Sequence, residues 1–135
     1  MSVLAKIPKV TLLKLRGTPI RMDATFVIIP LLLMNMFSSR TDGDYWLLVI
    51  AGSVGLFVSI LLHELGHAFA GAYFGLKTSE IGIGGIFGYA RINLKGAPRK
   101  HMIPILLAGP IANLLLFFAF WLATGALPHN ELVSM

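Results

Sequence analysis

Two long stretches without an ionised chain of side groups dominate what this 135-residue sequence can fold into. Tyr45 to Leu62 carries no charge, and apart from His63, Glu64 and His67 the run stays free of titratable side chains up to Tyr73. Met102 to Leu127 contains no Lys, Arg, Asp or Glu. A hydrocarbon core about 30 Å thick is crossed by roughly 20 apolar helical residues, so both stretches are long enough to span a bilayer. The whole chain is 56% hydrophobic and only 13% charged, where soluble domains carry roughly 25% charged residues. We therefore read an integral membrane protein, folded as one membrane-embedded domain over residues 1–135.

A third, shorter apolar run covers Ala24 to Phe37 and contains Pro30. Extended to Ser39 it makes about 24 Å of helix, and we read it as a spanning helix, with a re-entrant segment as the alternative. Basic residues support three crossings. The formal net charge is +5, and ten of the eleven Lys and Arg lie either before the first run or between the second and third; Arg40 is the exception. By the positive-inside bias the N-terminus and the Lys77–Lys100 loop face the cytoplasm of a multi-pass protein. The basic residues flank apolar runs, so their partner is the lipid bilayer rather than nucleic acid. Met1 to Arg21 has no compact apolar core and does not read as a secretory signal. The chain has no cysteine, which leaves disulfides and thiolate ligands out of its chemistry.

Between the second and third runs, Ile81, Ile83, Phe87, Tyr89 and Ile92 alternate with glycines. Gly84-Gly85 suits a tight turn. The expected fold is an all-α membrane protein of three transmembrane helices, with a small β-hairpin over Ser79–Leu94 on the cytoplasmic side; an irregular glycine-rich loop is the alternative.

The second run holds the chemistry. Leu62-His63-Glu64-Leu65-Gly66-His67 contains H-E-x-x-H. Residues four apart share a helix face, so two imidazoles can reach one Zn²⁺ while Glu64 serves as general acid and base. Ionised groups in a bilayer cost about 2.5–3.5 kcal/mol each, and one bound cation would compensate this cluster; a polar packing cluster without metal is the other reading. Ala51, Gly55, Ser59, His63, His67, Gly71 and Gly75 recur every four residues, a small-residue seam that lets other helices approach. His67 lies ten residues before Lys77, about 15 Å of helix below the cytoplasmic surface, so a polar cavity must bring water to it. In the third run Pro110 cannot donate to the carbonyl of Leu106, and Asn113 lies one turn on. Gly109 and Asn113 are expected to face the metal helix; ordinary packing of a kinked helix is the alternative.

At these residues the chain resembles the site-2 protease family of intramembrane zinc metalloproteases (peptidase family M50), in its short prokaryotic form. The likeness rests on His63-Glu64-x-x-His67 in an apolar helix, Ala108-Gly109-Pro110-x-x-Asn113 in the next, the glycine-rich strand segment between them, and Gly17-x-Pro19-Ile20-Arg21 before the first run. It implies cleavage of transmembrane segments of other membrane proteins. It also implies that a strand segment receives the unwound substrate. Carried onto this chain, the substrate-binding residues are Ile83, Gly84, Gly85, Ile86, Phe87, Tyr89 and Asn113. The family takes its third zinc ligand from the Asp of a Leu-Asp-Gly motif in a further helix, and no such motif occurs here. Asp23, Glu80 and His101 are substitutes by chemistry alone. The expectation is therefore the N-terminal part of a longer enzyme, or a chain completed by a second one. The alternative is a truncated or degenerate module that binds substrate or partner proteins without cutting them. A metal-transporting bundle ranks last, because polar groups are sparse beyond the metal helix.

Overall fold

The computed structural model describes residues 7–40, 42–85 and 87–125. In chain order the elements are strands β1 (Lys9–Leu15) and β2 (Thr18–Asp23), a 3-10 turn (Ala24–Val27), helices α1 (Ile28–Met36) and α2 (Tyr45–Tyr73), strands β3 (Thr78–Ile83) and β4 (Gly88–Ile92), and helix α3 (Arg99–Gly125). The strands make one four-stranded mixed sheet in the order β1-β2-β3-β4. β2 and β3 run parallel, and the two outer pairs are antiparallel.

This architecture corrects the expected all-α fold with three spans and a hairpin. Among the described residues, only α2 and α3 are long and apolar enough to cross a membrane. The first apolar run starts late, because Asp23 accepts the backbone N–H of Thr25 and caps a 3-10 turn rather than an α-helix. Pro30 falls in the first turn of α1, where its missing N–H breaks no helical bond. The helix then ends at Met36, so turn and helix together reach about 20 Å. α1 accompanies only the N-terminal half of α2. Phe26 meets Phe57 edge-on at 5.6 Å between ring centroids, and the Tyr45 hydroxyl donates to the Met34 carbonyl at 3.3 Å. The sheet flanks the other half.

The expected hairpin is present as β3–β4, but as half of a larger sheet. β1 and β2 form a second antiparallel pair around Arg16 and Gly17, at φ of 49° and 83°. β1 shifts register between Thr11 and Leu13, so its alternation of apolar and polar residues changes phase midway. Ile20, Ile81 and Ile83 form the buried core on the face toward α2, packed by Phe57, Ile60, Leu61 and Leu65.

α2 stops in a Schellman turn. Leu76 N–H donates to the Gly71 carbonyl at 2.9 Å and Gly75 N–H to that of Ala72 at 3.0 Å, with Gly75 at φ 76°. This turn sends the chain back into β3 beside the helix it has just left. α2 and α3 approach most closely at Gly66, where a Cβ would lie 2.5 Å from the Ala108 carbonyl oxygen and 3.1 Å from the Ala112 Cβ. The small residues permit backbone contact between the two candidate spans.

Candidate metal centre

His63 and His67 stand one turn apart on α2, with ring centroids 4.8 Å apart and ring planes at 81°. Both rings turn toward α3. The meeting point is Gly109: a Cβ there would lie 2.8 Å from His63 Nε2 and would also collide with Nε2 and Cε1 of His67. The two Nε2 atoms therefore converge on a space that any residue larger than glycine would fill.

Polar groups on the far sides of the rings hold them in this pose. His67 Nδ1 lies 2.7 Å from the Ile105 carbonyl oxygen, to which it donates its proton. That bond fixes the tautomer and leaves the lone pair on Nε2. The Asn113 amide lies 3.3 Å from His63 Nδ1 and 3.4 Å from the Ser59 hydroxyl. The two ends of an amide are alike in shape. As placed, Nδ2 faces the ring and Oδ1 accepts from the Ser59 hydroxyl; with the amide turned over, its oxygen would accept the Nδ1 proton and leave the lone pair of His63 on Nε2. Two imidazoles whose Nε2 atoms converge on a glycine-lined space fit a zinc ion as far as two ligands go.

A third ligand is not supplied by the described residues, which contain no group of three His, Cys, Asp or Glu able to hold a metal. The substitutes named from sequence are engaged elsewhere. Asp23 caps the 3-10 turn and accepts from the Thr25 hydroxyl. Glu80 lies within 3.7–3.9 Å of Lys9, Arg21 and Arg91. His101 stacks on Phe74 with ring centroids 4.2 Å apart.

Glu64 is buried, and its side chain lies against the sheet. A Cβ at Gly88, the first residue of β4, would lie 2.7 Å from Glu64 Oε1. The carboxylate thus sits against the start of an edge strand. The segment joining β3 to β4 is anchored there. Gly84 N–H donates to the Phe87 carbonyl at 2.9 Å, and Gly85 N–H to the Thr25 hydroxyl at 3.0 Å. Ile83 is fully buried, Phe87 is exposed, and Tyr89 lies across Gly82 with its hydroxyl on Glu80. Ile86 lies outside the described residues.

Sequence reasoning missed Gly88 and the Ile105 carbonyl. It pointed instead to Leu106, whose helical donor Pro110 removes. The small-residue stripe does not follow one neighbour: Ser59, His63 and His67 face α3, whereas Gly71 packs against Ile92 of β4. A four-residue repeat drifts about 40° per step, which carries the stripe from one neighbour to the other.

The match to known proteins agrees with this arrangement. The model for peptidase family M50 matches residues 51–132, and the chain belongs to that family, the site-2 proteases. A zinc metalloprotease of Methanocaldococcus jannaschii is 28% identical over 107 residues, which make up 79% of this chain and 30% of that protein. The solved structure of a site-2 protease from Methanocaldococcus jannaschii matches with a TM-score of 0.66 at 25% identity, covering 89% of this chain and 53% of the other. The chain thus spans about a third of the curated relative and half of the solved structure.

Proposed function

We propose that the protein is a zinc endopeptidase that cleaves transmembrane segments of other membrane proteins. The observation that carries this reading is the convergence of His63 and His67 Nε2 at Gly109, one helical face away from a buried Glu64 carboxylate lying against the edge of a sheet. His63 and His67 would hold the ion, and a third ligand would come from a further segment or a second chain. A bound zinc supplies Lewis acidity to peptide hydrolysis. Glu64 takes the proton of the attacking water and returns it to the departing amine. β4 is an edge strand, with one row of backbone groups available to an extended peptide. In the proposed role, Ile83 to Tyr89 holds the unwound substrate as an added strand beside Glu64, and Asn113 orients His63. The protein is multi-pass, and the sheet, with the basic residues of β1, β2 and the loops around it, faces the cytoplasm.

The test is cleavage of a single-span substrate by the protein purified in detergent with zinc. Glu64→Gln is expected to abolish cutting, a loss of at least about 100-fold, while zinc stays bound. Unchanged cleavage by that variant would remove the proposed role of Glu64. The two-ligand centre among the described residues supports a second reading for the chain in isolation, a module that binds substrate without cutting it. Substrate retention without turnover, under conditions where added C-terminal segments restore cutting, separates the two.

A further inference from the structure

On the face of α2 opposite the histidines, a cavity of about 470 Å³ opens between the helix and the β1–β2 turn. Its floor is apolar: Leu65, Ala68, Phe69 and Ala72 of α2, with Ile81 of β3. At about 100° per residue, Leu65 and Ala72 lie roughly half a turn around the helix from the His63–His67 face. The cavity is therefore separate from the metal centre. Leu65 to Ala72 extends about 10 Å along the helix axis. Phe69 stays 59% exposed within the floor.

The mouth has a different chemistry. Arg16 and Lys77 both line it, and the lining contains no Asp or Glu. The two cations come from two chain segments. Arg16 stands in the β1–β2 turn in a left-handed conformation, and Lys77 follows the Schellman turn that ends α2. Thr18 Oγ1 donates to the Thr78 carbonyl at 3.0 Å and ties the two segments at the rim. Lys77 is also the first basic residue after Arg40, so the mouth lies where the long apolar run ends. Tyr73, 85% exposed at the end of α2, stands at the same level, as interfacial aromatics do.

We propose that this groove binds a single anionic glycerophospholipid, with an acyl chain along Leu65–Ala72 and the phosphate between Arg16 and Lys77. An apolar slot that opens at a pair of cations with no ion-pair partner among the described residues, at the end of a candidate span, matches both halves of such a molecule, and a zwitterionic lipid would lack the net charge the mouth selects. The site requires that α2 lies in a bilayer. It does not require that the metal centre cuts, so lipid retention and cleavage can fail separately.

Native mass spectrometry of the protein in mild detergent tests this, with phosphatidylglycerol and phosphatidylcholine of matched acyl chains as probes. One phosphatidylglycerol per chain is expected to be retained in preference to phosphatidylcholine. Arg16→Asn with Lys77→Gln should lower phosphatidylglycerol retention about 30-fold, the effect of two charges at a membrane surface. Asn is chosen because it tolerates the left-handed backbone at position 16. Ala72→Trp should displace the acyl chain and lower retention of the same lipid, and the exposed charge variants keep the test valid should Ala72→Trp fail to fold. Equal retention of the two lipids, or unchanged retention by the double charge variant, would overturn the proposal. So would a photoreactive group on a cysteine introduced at Ala72, unique in this chain, if it coupled to another protein segment instead of phosphatidylglycerol.

Discussion

Gly109 is the residue on which the proposed metal centre depends. In an ordinary apolar helix, Ala in place of Gly favours the helix by about 1 kcal/mol. Here the added methyl would enter the space shared by both Nε2 atoms. Gly109→Ala is therefore expected to leave the helix intact while zinc affinity falls about 10- to 100-fold, the size of effect seen when groups around a ligand are disturbed. Zinc content measured against helicity checks this, and a variant that keeps both would show that the ion does not sit at Gly109. That the two imidazoles share a face was legible because i and i+4 are fixed by one helix. The glycine opposite could be named as a neighbour but not as the site of convergence, since that depends on where Pro110 and the Ala108 contact set the second helix.

At the scale of elements, two glycines of α2 make opposite predictions. Gly66 meets the backbone of α3, which cannot move aside, so Gly66→Ala should cost about 1–3 kcal/mol by overpacking. Gly52 meets only the tip of Leu33, with a Cβ 2.9 Å from Cδ1. That side chain can change rotamer, and Gly52→Ala should be neutral or stabilising by up to about 1 kcal/mol. Thermal midpoints of the two variants compare them directly; equal shifts would mean that α2 and α3 are not in backbone contact. The short helix α1 teaches the same lesson about length. Its run of apolar residues was already marginal on the sequence, and the basic residues were what suggested a third crossing. With β1 and β2 paired to β3, the basic residues of the strands lie together because the sheet joins them, which says nothing of the length of α1.

The molecule as a whole is inside-out. Of the six buried hydrophobic residues among those described, Ile20, Ile81 and Ile83 cluster where the sheet meets α2 and the other three are scattered over the helices, while long apolar side chains cover the outside of α2 and α3. Such surfaces need lipid or further protein. On the opposite face of the sheet, polarity holds the four strands together. Glu80 of β3 accepts from the Tyr89 hydroxyl at 2.7 Å, Lys9 of β1 donates to that hydroxyl at 2.8 Å, and Arg21 and Arg91 stand within 3.7 and 3.9 Å of the carboxylate. Glu80→Gln should keep the tyrosine contact but lose the charge, costing about 1–2 kcal/mol, since both arginines are partly in solvent. The difference should shrink at high salt. Unfolding midpoints at low and high ionic strength test it, and an unchanged midpoint at low salt would mean the cluster does not join the strands.

What the sequence determined alone was local: two runs long enough to cross a bilayer, and a pair of imidazoles brought onto one face by helical periodicity. The β3–β4 pair was legible for the same reason, because its turn and its alternation lie within a few residues. The rest was settled by contacts between distant segments. Parallel pairing of β2 with β3 leaves no periodic mark at either strand, and the bulge in β1 hides its alternation. Only the packing of α3 against α2 brings Gly109 to the two ring nitrogens, and only the folding of the sheet against α2 brings Gly88 to Glu64. Helical spacing is written in the order of residues; the approach of one backbone to another depends on which side chains are small enough where the elements meet.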